Sequence, residues 1–499
     1  MGMKATLLRP AAWWTAREVK RAGETAVESQ ARTLRSLLAR GKDTAFGRAH
    51  GFSDIRDGRE FQRRVPLSDY DAYSPWIDRI KAGEADVTWP GRPAYFAMTS
   101  GTTAGTKFVP LTREMMPNQY GSTRRALLNH YGRTGRGGWA DGTAVVLVGS
   151  PELKEHNGVP TGLLSGIINH HVPRWFRSMS LPGERVIRIP NWEEKMAALV
   201  EESRDRDVRL LGGSPLWMLM YFEYLLAATG RSAVLDVFPN LSTFVHGGVD
   251  YGTHRQAIEH KLGGRIDTVE IYPATEAFVA FQYAGPGEGM LLNVGSGVYF
   301  EFVPLDKAGD PHAERLSVGE VETGVDYVIA VSTHSGFWGY AMGDTVRFVS
   351  TKPPLIVITG RTKNFISMAN ERLMAKEVED ALAAGAAATG VRTVEFTVAP
   401  QPVPPAGGRA YHEWYVEFDG EVPDAGTFMT AVEAYINGRN YNYNAFRKNG
   451  VIAPPRLMVV RPGGFREYMK AVGRMGGQYK LPHLQNNRAI ADALRPFIG

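Results

Sequence analysis

The sequence predicts an α/β protein of two domains. A large N-terminal domain of β-sheets flanked by helices, with a β-rich portion near its end, is followed by a smaller α+β domain. Three observations predict this. The chain has 499 residues, beyond the size at which one hydrophobic core keeps growing. Apolar strand-like runs alternate with helical periodicity in the first half, then give way to successive β runs across 292–303, 319–333 and 344–349. After Pro353, Pro354 and the apolar run Leu355 to Thr359, the pattern changes to an Ala-rich helix and alternating strands. The domains are therefore read as 1–361 and 362–499.

The elements follow in order. Met1 to Gly23 mixes Lys4, Arg9, Arg17, Lys20 and Arg21 with Trp13 and Trp14, and has no continuous apolar core or cleavage site. That spacing predicts an amphipathic helix rather than a signal peptide, with the tryptophans packed onto the body rather than holding a membrane. Residues 24–65 show helical spacing at Leu34, Leu37 and Leu38. Residues 94–110 read as strand, Gly-rich loop and strand, and 143–149 as an apolar strand. Residues 192–230 read as largely helical, broken at Gly212, Gly213 and Pro215. A strand running into a Gly turn is expected at 241–249, a helix at 253–262 and a buried strand at 267–272. In the second domain, 374–388 and 427–437 read as helices and 393–399 and 411–418 as strands.

Composition narrows the function classes. There is no cysteine, which excludes disulfides, thiolate metal sites and a cysteine nucleophile, and fits a cytoplasmic protein. No window approaches twenty apolar residues, so stable membrane insertion is not expected. Fifty-seven Lys and Arg against 52 Asp and Glu leave a net charge of only +5. With no basic–aromatic motif, a local polyphosphate site is favoured over nucleic-acid binding.

The segment Thr99-Ser100-Gly101-Thr102-Thr103-Ala104-Gly105-Thr106-Lys107 carries the strongest chemical signal. Glycines allow positive φ and close backbone approach to a ligand. Exposed N–H groups, hydroxyls and one ammonium suit the phosphates of ATP. It is not a Walker A loop, because Phe108 follows Lys107. The alternative reading is a polar surface turn.

Two further stations lie downstream. At Ile271-Tyr272-Pro273-Ala274-Thr275-Glu276 an apolar strand delivers a ring that can stack on adenine, a hydroxyl that can bond phosphate, and a carboxylate that can hold Mg²⁺. The alternative there is a strand end with Thr275 as helix N-cap and Glu276 as a first-turn acid. The third station is Trp338-Gly339-Tyr340-Ala341-Met342-Gly343-Asp344, followed by Gly360-Arg361. An aspartate after a Gly turn can accept from both ribose hydroxyls, and an arginine can bond ribose or phosphate and mark a hinge.

The ordered set resembles adenylate-forming enzymes, and within them the GH3 family of acyl-acid amido synthetases. The first loop is similar to their [ST]-S-G-T-[ST]-x-G-x-K pattern, Tyr272, Thr275 and Glu276 to Tyr-x-x-[ST]-Glu, and Val245-His246-Gly247-Gly248 to the turn beside adenine. The end Gln478-Tyr479-Lys480-Leu481-Pro482-His483 resembles Gln-Tyr-Lys-x-Pro-Arg, with His483 in place of arginine. The run Phe61 to Tyr73 is also similar, and Asn442 to Ile452 loosely so. Positions 339 and 341 carry Gly339 and Ala341 where plant members usually carry arginines.

The resemblance implies an adenylate-forming N-terminal domain with a mobile C-terminal domain. ATP and Mg²⁺ are the implied cofactors, and a carboxylic acid and an amine, chiefly an amino acid, the implied partners. Thr99, Ser100, Gly101, Thr102, Thr103, Gly105 and Lys107 would hold phosphates, Gly247, Gly248 and Tyr272 adenine, and Asp344 and Arg361 ribose. Thr275 would bond the α-phosphate, Glu276 would bind Mg²⁺, and Lys480 would be the catalytic lysine. An acyl-CoA ligase of the same superfamily and a non-catalytic nucleotide-binding homologue are the rival readings.

Overall fold

The structure, a computed structural model, describes residues 2–499 apart from 101–105, 249–250, 309, 311–312, 362–364, 367–370, 372, 403, 406–408, 449, 451, 474–479 and 486. The side chains at 99, 100, 106, 175, 192, 216, 253, 361, 365, 441, 442 and 445 also lie outside the description. Two compact units emerge: Met1–Tyr251 with Ile258–Ile358, and Gly252–Ala257 with Thr359–Gly499.

The large unit is built on an 11-stranded sheet. From one edge the strands run Val298–Pro304, Asp326–Thr333, Tyr340–Thr351, Pro354–Arg361, Met290–Leu292, Phe278–Gln282, Asp267–Pro273, Thr243–Gly247, Val208–Gly213, Thr143–Val146 and Ser180–Leu181. The strands from Asp267–Pro273 onward pair in parallel. Their near-continuous apolar runs reflect burial on both faces, as crossover helices demand. Most of the other half is antiparallel, which matches the expected run of β segments. A second sheet has the order Thr106–Leu111, Tyr95–Ser100, Val159–Leu163 and Lys154–His156.

The stretch 192–230 departs from expectation. It forms helix Trp192–Ser203, buried strand Val208–Gly213 and helix Pro215–Thr229. Gly212 and Gly213 end a strand rather than break a helix. A short apolar run buried on both faces carries no period that separates strand from helix.

The helix Met3–Glu24 forms as expected, but Trp13 and Trp14 are exposed, which overturns their predicted packing. The helix instead buries Ala5, Ala12, Val19 and Gly23. A methyl group on Gly132, in helix Met116–Thr134, would lie 2.2 Å from the Ala12 carbonyl oxygen. Two helices in such close approach leave no room between them for indoles.

The small unit carries a three-stranded sheet, Thr393–Gln401, Tyr411–Phe418 and Arg456–Val460. Helices Ala375–Thr389 and Ala425–Arg439 contribute Val378, Leu382, Phe428 and Val432 to its core, beside Trp414 and Val416. Within that unit His412 Nε2 meets Glu371 Oε1 at 2.9 Å with both side chains buried. Among the described residues no helix is long and apolar enough to cross a membrane.

Candidate active site

The first station is an antiparallel hairpin. Strands Tyr95–Ser100 and Thr106–Leu111 pair with Thr99 opposite Lys107 and Ser100 opposite Thr106. Apolar Phe96, Ala97 and Val109 bury the stem, as their position on either side of the glycine-rich run predicts. Gly101, Thr102, Thr103 and Gly105 lie outside the described residues. The Lys107 ammonium stands 5.0 Å from the Tyr70 ring centre. The Phe108 N–H donates to the Tyr70 hydroxyl at 2.8 Å, and burial raises the pKa of that hydroxyl.

The second station is the turn between strands Asp267–Pro273 and Phe278–Gln282. Thr275 and Glu276 are half-buried there, so the expected N-cap alternative does not apply: a strand follows, not a helix. The turn is held from helix Met116–Thr134. Gln119 Nε2 donates to the carbonyls of Ala274 and Thr275 at 3.3 and 3.2 Å. Asn118 accepts from the Phe278 N–H at 2.8 Å and donates to its carbonyl at 3.3 Å. Asn293 donates to Ser122 and to the Phe278 carbonyl, and Arg125 links Asn293 to Glu18. A buried polar network with this many partners fixes one geometry. Arg125 is tied up in this network, and Met115 and Met116 are buried in the core.

Beside the second station, strand Thr243–Gly247 runs parallel to Asp267–Pro273, with Gly247 opposite Ile271. A Cβ at Gly247 would lie 2.3 Å from the Ile271 carbonyl oxygen, so only glycine fits. This register puts the Gly247-Gly248 turn next to Tyr272. His246 is buried and stacks on Tyr251 at 4.2 Å, a packing role.

The third station lies on strand Tyr340–Thr351. Its pairing with Asp326–Thr333 slips between Val328, opposite Thr345, and Ala330, opposite Ala341. Gly343 takes φ +83 within this irregularity, which re-aims the following side chain, as β-bulges do. The result is that Tyr272 donates its hydroxyl to Asp344 Oδ2, with both residues buried. Tyr340 reaches the other way. Its buried hydroxyl meets Glu276, and burial followed by the Glu276 charge raises its pKa well above the tyrosine range. Each of the two stations thus supplies a tyrosine to the other's carboxylate. Tyr70 and Asp69 also act on Tyr340, which extends the chain of contacts back to Lys107.

Sequence reasoning missed Tyr340, Tyr70, Gln119 and Asn118. Tyr340 lies inside the Trp338–Asp344 segment, and Tyr70 inside the Phe61–Tyr73 run. Nothing local distinguished Gln119 or Asn118 from a solvated helix face. At Gly339 the structure gives a reason for the absent arginine. The residue takes φ +55, and a Cβ there would lie 3.0 Å from both the Pro66 carbonyl oxygen and the Arg315 guanidinium.

Arg361 ends strand Pro354–Arg361, its side chain outside the description. Lys480 is exposed in the small unit, and Gln478 and Tyr479 lie outside the described residues. The segment just after Lys480 is clipped to strand Thr393–Gln401. Val398 N–H donates to the His483 carbonyl at 2.8 Å, Gln485 N–H to the Val398 carbonyl at 3.0 Å, and Thr397 Oγ1 to the Pro482 carbonyl at 2.7 Å. His483 sits between Glu379 at 3.1 Å and Glu395 at 3.3 Å.

Comparison with known families decides the relationship. The GH3 family N-terminal domain matches residues 15–200, the central domain 291–361 and the C-terminal domain 376–489. The chain belongs to the GH3 family.

Among relatives of this GH3 protein, an indole-3-acetic acid-amido synthetase of Oryza sativa subsp. indica is 24% identical, covering 93% of this chain and 89% of the relative. A jasmonoyl-L-amino acid synthetase of Nicotiana attenuata is 23% identical over 91% of this chain and 90% of its own. The solved GH3.15 acyl acid amido synthetase in complex with 2,4-DB superposes with a TM-score of 0.81 at 17% identity, covering 100% of this chain and 98% of that one. A 2-hydroxyisobutyryl-CoA ligase superposes less closely, with a TM-score of 0.56 at 12% identity over 99% and 92% of the two chains. The GH3 protein therefore has the adenylate-forming fold, with a separate C-terminal domain.

Proposed function

We propose that this GH3 protein is an ATP-dependent acyl-acid amido synthetase, with an amino acid as the acceptor amine. The observation that carries the reading is the reciprocal pairing of Tyr272 with Asp344 and of Tyr340 with Glu276. Two segments distant in sequence meet there, near a hairpin whose Lys107 ammonium lies 5.0 Å from the Tyr70 ring centre.

The donor set fits ATP. The hairpin, with Thr99, Ser100 and Lys107, offers hydroxyls and an ammonium to the phosphates. Gly247 and Gly248 admit close backbone approach beside Tyr272, which lines the adenine side. Asp344 accepts from the ribose hydroxyls in exchange for the Tyr272 hydroxyl, and Arg361 assists. Glu276 is the carboxylate assigned to the ion, and the described residues contain no cluster of three or more His, Asp or Glu ligands. One carboxylate plus substrate phosphates is a normal set for Mg²⁺. When bound, the ion would supply charge neutralisation of the phosphates.

In the first half-reaction a carboxylate oxygen of the acid attacks the α-phosphorus of ATP. The bond to the bridging oxygen breaks, and pyrophosphate leaves with the electron pair. Thr275 donates to an α-phosphate oxygen, and the Lys480 ammonium offsets the negative charge that develops there. In the second half-reaction the amine nitrogen attacks the carbonyl carbon, AMP leaves and the nitrogen loses a proton. We take residues 362–499 as the small domain whose rotation about Arg361 and Thr362 separates the two steps. With no cysteine in the chain, no thiol of the protein carries the acyl group, and the adenylate either diffuses to the amine or is attacked by it within the site. A cytoplasmic location is part of this proposal, and the absence of cysteine supports it.

The test is pyrophosphate release screened over an acid library with pooled amino acids, followed by ATP–pyrophosphate exchange on the hit. Release that requires an acid, with AMP formed on addition of amino acids or hydroxylamine but not of CoA, is expected. CoA-dependent AMP formation would assign the rival ligase, and no exchange with any acid would assign a non-catalytic nucleotide binder. Lys480→Ala and Glu276→Ala should lower exchange by about a hundredfold or more. A wild-type rate in either removes that residue's role.

A further inference from the structure

The N-terminal helix Met3–Glu24 is amphipathic in an inverted sense. Its buried face is made of small residues: Ala5, Ala12, Val19 and Gly23. Leu8 packs against the core, but most of its large apolar residues point outward. Met3, Leu7, Pro10 and Trp14 recur at i, i+4, i+7 and i+11, one stripe of a helix. Met3 is 77%, Leu7 72%, Trp14 64% and the adjoining Trp13 56% exposed. A contiguous outward stripe of this kind marks an interaction surface on a soluble fold.

The stripe is not a helix that failed to dock. The Asp141 carboxylate accepts from the N–H groups of Gly2 and Ala5 at 2.7 and 3.1 Å. Tyr131 donates to the Ala5 carbonyl at 2.8 Å, and Glu18 pairs with Arg125 at 2.9 Å. The inner face packs on helix Met116–Thr134, on Asp141 and, at Gly23, against Pro353 and Leu291, which leaves the stripe on the outside.

Charge decides what the outer face fits. Arg9, Arg17, Lys20 and Arg21 are exposed on the same helix as the apolar stripe, and Lys4 is exposed near its start. The Arg17 guanidinium lies 4.5 Å from the Trp13 ring centre. The two acids of the helix are both engaged, Glu18 with Arg125 and Glu24 with Lys20 at 3.9 Å. A second copy of the chain, meeting by a two-fold axis, would set this basic patch against itself, which like-charge repulsion opposes. Indole rings seek the boundary between acyl chains and headgroups, and arginines beside them seek lipid phosphates. We propose that this face is a peripheral docking surface for an anionic phospholipid bilayer, with Leu7, Trp13 and Trp14 as the apolar anchors. The surface is independent of the adenylating site and of its assignment.

The test uses the full-length protein in flotation with vesicles of roughly 3:1 phosphatidylcholine to phosphatidylglycerol, and with vesicles of phosphatidylcholine alone. Wild type is expected to float with the anionic vesicles and to be released by high salt. The variant Leu7→Ala/Trp13→Ala/Trp14→Ala should partition at least about tenfold more weakly. Arg17→Gln/Arg21→Gln should lose about fivefold per charge on the anionic vesicles alone. Unchanged melting temperature would show that the variants fold. Wild type that floats with neither vesicle, or an apolar variant that floats as wild type does, overturns the proposal. So does a wild-type dimer in sedimentation velocity that the apolar variant abolishes while flotation stays nil.

Discussion

His483→Gln is the most informative single change in the small domain. In the sequence this position stands out because histidine replaces an arginine three residues after Lys480. In the structure the imidazole is 22% exposed and lies 3.1 Å from Glu379 and 3.3 Å from Glu395. It also packs on Phe396 at 4.1 Å. Burial opposes its charge, but the hydrogen bonds to Glu379 and Glu395 outweigh that and hold the imidazolium up to about 9. An unfolded histidine titrates near 6.5. A raised folded value means the stabilisation is complete below about 6.5 and is lost as pH rises through about 9. The gap, at about 1.4 kcal/mol per pH unit, gives a ceiling of about 3 kcal/mol. Glutamine keeps a donor but no charge. Local opening of the clip Val398–His483–Gln485 should therefore rise roughly a hundredfold at neutral pH. Peptide-level hydrogen exchange over 395–401 and 481–487 reads that opening. Urea unfolding at pH 6.5 and at about pH 10.5 compares the variant with wild type where the imidazole is charged and where it is neutral. The gap between the two proteins should be large at the lower pH and should nearly close at the higher. His483→Arg should restore protection at both. A gap of the same size at both pH values would refute the reasoning, since the loss would then be one of shape and not of charge.

Three further outcomes follow from the large domain. Tyr272→Phe removes the hydroxyl that Asp344 accepts, leaving a buried carboxylate one donor short; about 1–3 kcal/mol of stability should be lost in the free protein. Saturating ATP should recover part of this in a thermal-shift assay, because ribose hydroxyls take over the role, and no recovery would argue against Asp344 as the ribose residue. Gln119→Leu leaves the Ala274 and Thr275 carbonyls unpaired, so KM for ATP should rise more than kcat falls in pyrophosphate exchange. A change in melting temperature alone would reduce Gln119 to a structural part. Gly247→Ala forces a methyl to within 2.3 Å of the Ile271 carbonyl oxygen; a loss of about 1–3 kcal/mol in chemical denaturation is expected, and a neutral effect would mean the two strands can separate there.

The individual strands and helices of the site were legible because each rests on local chemistry. The apolar runs Phe96-Ala97-Met98 and Phe108-Val109-Pro110 on either side of the glycine-rich segment read as strands from their own residues. Tyr272, Thr275 and Glu276 fall at the end of an apolar strand whatever lies around them. Composition and length likewise bounded the domain number and excluded thiol chemistry without any coordinates.

What the sequence could not decide is which residues face one another. Val208–Gly213 read as a break in a helix because a strand buried on both faces by parallel neighbours carries no period of its own. Tyr340 and Tyr70 became site residues only through a strand irregularity at Gly343 and a contact with the hairpin, both of which depend on pairing between distant segments. Gln119 and Asn118 look like any polar helix surface until the turn they hold is folded against them. Trp13 and Trp14 were expected to pack onto the body of the protein. A helix, though, buries whichever face allows the closest approach, and Ala5, Ala12 and Gly132 set that distance. Sequence by itself determined the kinds of chemistry available and their order along the chain. Only tertiary structure, through register, helix spacing and burial, decided which carboxylate meets which tyrosine and which face is left for a partner.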